Sequence, residues 1–388
     1  MSNASRQPPC EQTLRPLAWG LSLAAWSRAV ADLGMPAFRA RQIWHGLQER
    51  LIGSWDELTT LPADLRRALA ERYDVPALTL SEVRESPDGV RKLLSACRDG
   101  ELIESVLIPA EDRWTLCISS QAGCAFACAF CASGKAGLAR NLTAGEIVGQ
   151  VLLATRWLRE QARPAPMAGG GASARPGSSR LPLPRPQNIV VMGMGEPLAN
   201  YDEVLQALRI LNAPEGLNIG ARHITISTCG VVPGIQRLAG EGLQFELSVS
   251  LHAPNDALRT RLMPVNKRWP LAELLSACHD YTDTTNRIIT FEYTLVRGVN
   301  DQPEHARELI GLLRGWKCHV NLIPLSPVAE FAGEAPDAHD CEGFLNALES
   351  ARIATTLRRS RGRQADAACG QLRLRAQGKS APGASAIH

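Results

Sequence analysis

From about Thr115 to Ser360 short apolar runs alternate with amphipathic ones, and this rhythm restricts the fold more than any other feature. Thr115 to Ser119, Asn188 to Met192, His223 to Ser227, Phe245 to Leu251, Arg287 to Val296, His319 to Pro324 and Thr355 to Arg359 read as strands. Helical patterns fill the intervals at Thr143 to Gln161, Tyr201 to Leu211, Gly234 to Glu241, Leu271 to Thr282, Pro303 to Arg314 and Glu342 to Ala351. Strands that alternate with helices must run parallel, so the spacing predicts an α/β protein built on a parallel sheet or barrel.

The flanks read differently. Leu17 to Ser27 is apolar but too short to span a bilayer, and Leu23, Trp26, Val30 and Leu33 recur at helical spacing behind Ser22 as N-cap, with Gly34 as a stop. We read 1–80 as a small helical domain with no signal peptide. Residues 81–114 read as connecting strands, Val83 to Cys97 and Glu101 to Pro109 around the turn Arg98-Asp99-Gly100. The core then covers 115–360, interrupted at 162–186 by a Gly, Pro, Ser and Ala insertion without periodicity, expected to be flexible. Residues 361–388 form a C-terminal segment, expected to lack structure after Ala376.

Eleven cysteines in 388 residues are too sparse for a disulfide framework and fit reduced thiols in the cytoplasm. Six are scattered, at 10, 97, 229, 278, 318 and 341. Cys117, Cys124, Cys128 and Cys131 fall within fifteen residues. The last three form a C-x3-C-x2-C arrangement in the loop after the first core strand. Three thiolates on a four-iron cube leave one iron open to a substrate or cofactor. A structural zinc wants four ligands, and the nearest histidine, His223, is remote in sequence. Thiols without a ligand would need no such spacing.

The flanking motifs narrow the reading. Cys117-Ile-Ser-Ser-Gln-Ala-Gly-Cys124, Gly137 to Thr143, Gly193-Met-Gly-Glu-Pro-Leu198, Ser227-Thr228, Ser250-Leu-His-Ala-Pro-Asn255 and Ala367-Ala-Cys-Gly-Gln-Leu372 occur in this order. From about residue 17 to 375 the chain resembles the RlmN/Cfr dual-specificity radical S-adenosylmethionine (SAM) RNA methyltransferases. The resemblance implies a partial (βα)6-type barrel with a small N-terminal helical domain, and a [4Fe-4S] cluster held by Cys124, Cys128 and Cys131. It implies SAM contacts at Gly195, Glu196, Ser227, Ser250, Leu251, His252 and Ser326. Ser326 stands where family members usually carry Asn, and its hydroxyl reaches less far. Without the resemblance, Gly195-Glu196 also reads as a βα turn with a helix-capping glutamate.

The resemblance further implies a reaction through two SAM molecules. Cys369 would accept a methyl group, the activated methyl carbon would bond to adenine, and Cys117 would release the product through a transient disulfide with Cys369. Glu104 would accept a proton; an exposed strand carboxylate is its plain alternative, as a buried small hydrophobe is for Cys117. The implied substrate is an adenine of 23S rRNA, with tRNA as a second one and a flavodoxin-type protein as electron donor to a monomeric enzyme. Pro197, Ala122 and Ala253 favour the C2-directed RlmN branch over C8-directed Cfr, although Gln364-Ala365 departs from the usual Asp-Ile.

Charge supports an RNA partner. The formal net charge is only +3, yet 352–379 carries eight basic residues and one acid, which leaves 34 basic against 38 acidic residues elsewhere. Cys369 lies inside that basic stretch, where phosphates can be neutralised. Two other readings compete: a radical SAM enzyme of another class, such as protein activation or cofactor maturation, and a cluster-bearing RNA-binding protein without activity. The first needs neither Cys117 nor Cys369; the second needs no Gly-Glu pair.

Overall fold

A computed structural model describes residues 15–162, 184–328 and 331–358. Three helices open the chain: α1 (Leu23–Asp32), α2 (Phe38–Gln48) and α3 (Ala63–Arg72). Ser22 caps α1, its hydroxyl accepting from the Ala25 N–H at 3.2 Å. Trp26 holds this small domain together, with ring centroids 5.9 Å from Trp55 and 5.0 Å from Tyr73 in edge-to-face contact. The helices are continuous with the main core, which runs from Leu17 to Ile353.

Four strands follow: β1 (Leu78–Glu85), β2 (Arg91–Cys97), β3 (Leu102–Pro109) and β4 (Trp114–Cys117). The single run expected from Val83 to Cys97 is therefore two strands. Pro87-Asp88-Gly89 breaks it: the Ser86 and Val90 backbones pair across the turn at 2.8 Å, and Gly89 takes φ 79°, where a side chain would be strained. A small hairpin, β5 (Gln121–Gly123) and β6 (Leu138–Asn141), encloses the short helix α4 (Ala132–Ala136).

The remaining elements are α5 (Ala144–Gln161), β7 (Asn188–Val191), α6 (Tyr201–Asn212), β8 (Ile224–Thr228), α7 (Val232–Ala239), β9 (Glu246–Ser250) and α8 (Asp256–Leu262). Then come α9 (Leu271–Thr285), β10 (Ile289–Leu295), α10 (Pro303–Leu313), β11 (His319–Pro324), α11 (Ala338–Ser350) and β12 (Ala354–Leu357). Helix α8 has no counterpart in the periodicity because seven residues make only two turns; Asn255 starts it by accepting from the Leu258 N–H at 2.9 Å.

One sheet has the order β1-β2-β3-β4-β7-β8-β9-β10-β11-β12. Strands β1 to β4 pair antiparallel, and β4 to β12 pair parallel through six β–α units. This is the expected α/β architecture. Alternation along each strand separates the two faces. One buries Leu116, Ile189, Ile226, Val249, Phe291 and Leu322 in the core. Register places Lys92, Glu104, Cys117, Ser227, Ser248, Ser250, Glu292 and Asn321 on the other.

That polar face is concave. Arg358, beside β12, acts electrostatically on Cys117 of β4. Six strand spacings in a flat sheet would separate them by roughly 29 Å, so the sheet must curl back on itself. Among the described residues no helix is long and apolar enough to cross a membrane.

Candidate active site

The C-terminal ends of the parallel strands carry Cys117, the three-cysteine loop, Gly195, Glu196, Ser227 and Ser250, the position at which ligands bind in sheets of this kind. The chain leaving β4 is fastened first. Ile118 donates to Val190 O at 2.9 Å, Ser120 to Met194 O at 2.8 Å, and the Gln150 amide brackets the Ser119 backbone with two 2.8 Å bonds. Asn200 reaches the carbonyls of Ser120 (2.8 Å) and Leu142 (2.7 Å), tying the start of the cysteine loop to the strand that returns from it.

Gly195 shows why a glycine is needed here. Its φ is 103°, and a Cβ would meet the Gln121 Cβ at 2.6 Å and the Gln121 N at 2.7 Å. The Gly-Glu backbone thus lies directly against the segment that leads into the three cysteines.

Cys124, Cys128 and Cys131 are half-buried in the loop between β5 and α4. Cys124 donates its N–H to Gly137 O at 3.0 Å, and Ala129 anchors the loop to Leu262 O at 2.9 Å at the end of α8. Burial pushes the Cys124 thiol up to about 12 and Cys128 higher still, and the anionic forms of neighbouring cysteines add to both shifts. Among the described residues no three His, Cys, Asp or Glu side chains are gathered tightly enough to hold a single metal ion. A four-iron cube is larger than an ion and spreads its thiolates wider. Three half-buried thiols in one loop, with the ionisation of Cys124 and Cys128 opposed by burial and by neighbouring thiolates, suit such a cationic cluster, which would offset the cost of adjacent anions.

Phe130 covers this loop on one side, its ring edge-to-face with His252 at 4.8 Å. His252 follows β9 with φ 56° and is buried. Its Nδ1 accepts the Thr294 N–H at 2.9 Å, so the other ring nitrogen carries the proton. Burial, then the nearby Arg259, pulls its pKa down to about 3. Asn300 supports the same corner: it donates to the carbonyls of His252 (2.8 Å) and Thr294 (2.6 Å) and accepts from Val296 N–H (2.7 Å).

Glu196 is buried and its carboxylate accepts from the N–H groups of Leu198 (3.0 Å) and Cys229 (2.7 Å), with further bonds from the side chains of Cys229 and Thr228. Burial raises its pKa and these bonds oppose the rise. The carboxylate therefore caps the turn after β7 and joins it to the end of β8. Ser227 and Ser250, both half-buried, lie on the concave face; Leu251 is buried beyond β9, and Ser326 is half-buried beyond β11.

Cys117 ends β4, flanked by Val106 of β3 and Val190 of β7. Burial pushes its thiol up to about 11; a backbone bond from Met192 and the charges of Lys92 and Arg358 oppose this, and Glu104 adds to it. Glu104 is not an exposed strand carboxylate. It is 4% exposed, and its Oε2 lies 3.4 Å from Nζ of Lys92, itself 1% exposed. Cys369 lies outside the described residues, as does most of the basic stretch.

Three residues here were invisible to sequence reasoning. Lys92 sits in an ordinary strand pattern. Cys229, one of the scattered cysteines, is bonded to Glu196 and lies within electrostatic reach of Cys124 and Cys128. Arg259, fully buried, donates to the carbonyls of Cys229 (2.8 Å), Ser250 (3.1 Å) and Leu251 (3.2 Å) and to Asn266 Oδ1 (2.9 Å), so it locks β8 and β9 together. Its only sequence signal is an Arg in an otherwise ordinary helix. Cys97, Cys278, Cys318 and Cys341 are buried, and no disulfide forms among the described cysteines.

Known proteins resemble this chain over most of its length. The family model described as the radical SAM superfamily matches residues 181–310, a stretch that begins after the cysteine loop and ends within α10. A probable dual-specificity RNA methyltransferase RlmN of Symbiobacterium thermophilum is 46% identical over 362 residues, 93% of this chain and 92% of that protein. One from Frankia alni is 47% identical over 356 residues, 89% and 80% of the two chains. The crystal structure of a radical SAM methyltransferase from Sphaerobacter thermophilus superposes with a TM-score of 0.83 at 45% identity, covering 92% of this chain and 98% of that one.

Proposed function

As the chain belongs to the RlmN family of radical SAM methyltransferases, we propose that it methylates C2 of an adenine in 23S rRNA, and in tRNA as a second substrate. The observation that carries the reading is the placement of Cys117: a thiol on the concave polar face, next to the buried Glu104, at the end of the strand that leads into the three-cysteine loop.

Cys124, Cys128 and Cys131 hold a [4Fe-4S] cluster. Gly195 admits SAM along its backbone, Ser227 and Ser250 offer hydroxyls from the concave face, and Ser326 offers one from the loop after β11. Leu251 and His252 wall the same end, and Glu196 keeps the β7 and β8 termini in place. When bound, cluster and SAM supply the radical that opens an S-methyl group to carbon–carbon bond formation. Cys369 accepts that methyl group as a thiolate and stays joined to the base afterwards. Glu104 takes up a proton. Cys117, as the thiolate, attacks the Cys369 sulfur: the S–S bond forms, the bond from that sulfur to the transferred carbon breaks, and the carbon takes up a proton so that the base leaves carrying a methyl group. A flavodoxin-type donor supplies electrons, and the enzyme works as a monomer in the cytoplasm.

Anaerobically reconstituted protein given SAM, reductant and rRNA should yield 2-methyladenosine by nucleoside mass spectrometry. The Cys117→Ala variant should accumulate a covalent protein–RNA species. 8-Methyladenosine would replace the C2 assignment, and normal turnover by the variant would remove Cys117 from the mechanism.

A further inference from the structure

Lys92 lies on β2 opposite Val106, and Val106 lies on β3 opposite Cys117, so lysine, valine and thiol form one row across three strands on the concave face. Glu104, two residues before Val106, shares that face and pairs with the Lys92 ammonium at 3.4 Å. Both charged groups are almost fully buried, although a lysine is seldom buried without a compensating charge. The arrangement puts one cation in contact with a carboxylate and about two strand spacings, roughly 10 Å, from a thiol on the same face.

We propose that Lys92 is a positioning residue whose ammonium compensates a single negative charge shared between Glu104 and Cys117. In one state Glu104 is the carboxylate and Cys117 the thiol. In the other, the S–H bond of Cys117 has broken, an O–H bond has formed on Glu104, and the thiolate carries the charge. The proton moves within the group, nothing is oxidised or reduced, and the total charge around Lys92 stays constant. A buried thiolate is otherwise expensive, and this exchange makes the attacking sulfur available without leaving an uncompensated ion in the barrel. Among the described residues Arg358 also acts on Cys117, and it approaches from the opposite edge of the sheet. The inference rests on Cys117 being the thiol that must become nucleophilic.

The test follows alkylation of Cys117 by iodoacetamide in the cluster-loaded full chain, reading the Cys117 peptide by mass spectrometry across pH 7 to pH 10. Lys92→Met should slow Cys117 alkylation on the order of tenfold at fixed pH below the thiol's own titration. Glu104→Gln should accelerate it, because the carboxylate charge that opposes the thiolate is then gone. Lys92→Arg should restore most of the native rate, and thermal unfolding shows which variants retain the fold. The opposite signs are the decisive result: equal slowing by Lys92→Met and Glu104→Gln, or no change with either, overturns the shared charge. If Lys92→Met does not fold, acceleration by Glu104→Gln with a near-native rate for Lys92→Arg supports it, and any other pair of results overturns it. The readout does not involve RNA, so failure of the methyl-transfer reading would appear separately, in the Cys117→Ala crosslink.

Discussion

Two buried cations flank the concave face, and they are held in different ways. Lys92 faces a carboxylate across 3.4 Å, whereas Arg259 spends its guanidinium on three backbone carbonyls and one amide oxygen. Carbonyls do not titrate. Arg259 therefore belongs to the frame that fixes the ends of β8 and β9 beside the cysteine loop. On the proposed reading, carboxylate and thiol exchange a proton, so the Lys92 flank would change state without moving the backbone. The same polar face would then combine a rigid side, held by Arg259, with a reactive one.

Arg259→Met should break the frame most severely. It strands four acceptors in a buried site, and chemical denaturation should report a loss of about 4 kcal/mol or more. Arg259→Lys should rescue little, because an ammonium cannot reproduce the fork that reaches two strands at once. Full recovery by lysine would mean that charge alone, rather than hydrogen-bond geometry, matters there.

Lys92→Met should cost somewhat less, about 3 kcal/mol, since it leaves Glu104 buried without its ammonium. The contrast lies in the remedy. Pairing it with Glu104→Leu should return stability to within about 1 kcal/mol of the native chain, as replacing both partners of a buried ion pair often does. No side-chain substitution can do this for Arg259, whose main partners are backbone. Activity should stay lost in the double variant; its return would exclude the pair from the reaction.

Asn300 tests how far the frame extends. Asn300→Ala removes three bonds that fix the turn after β10 and the His252 carbonyl, and we expect a loss of about 2 kcal/mol by denaturation. Iron content after reconstitution should fall along with it, because His252 packs on Phe130 inside the cysteine loop.

Much of the rigid side was legible in the sequence. The six β–α units, the cysteine spacing and the glycine of the Gly-Glu pair are local patterns, and each fixes a local geometry. What escaped depends on register between strands. Lys92 and Glu104 are twelve residues apart, and nothing in either strand's alternation says that the Pro87-Asp88-Gly89 turn sets β2 where its lysine meets that glutamate. Glu196 had two local readings, and the capping one is what its hydrogen bonds to Leu198 and Cys229 display. Arg259 is hidden for a similar reason: a helical arginine is normally solvated, and only the approach of three chain segments buries it.

His252 gives the smallest effect and the cleanest test of the frame's indifference to protons. Its ring accepts the Thr294 N–H, and burial, with a smaller contribution from the nearby Arg259, pulls its pKa from 6.5 to about 3 in the fold. Between those values the unfolded chain binds a proton that the folded chain refuses. The neutral ring's contribution is thus complete above about pH 6.5 and is lost progressively as pH falls toward 3, at about 1.4 kcal/mol per pH unit once well inside that window. From pH 6 to pH 5 the share due to this residue should be about 1 kcal/mol. Denaturation of the native chain and of His252→Asn at both pH values isolates it, since the other titrating groups are common to the two and the variant should lose stability less steeply by that amount. Equal slopes would mean that the ring takes its proton within the fold and that the Thr294 bond yields to it, which would place His252 with the exchanging groups on the Lys92 side instead of the frame.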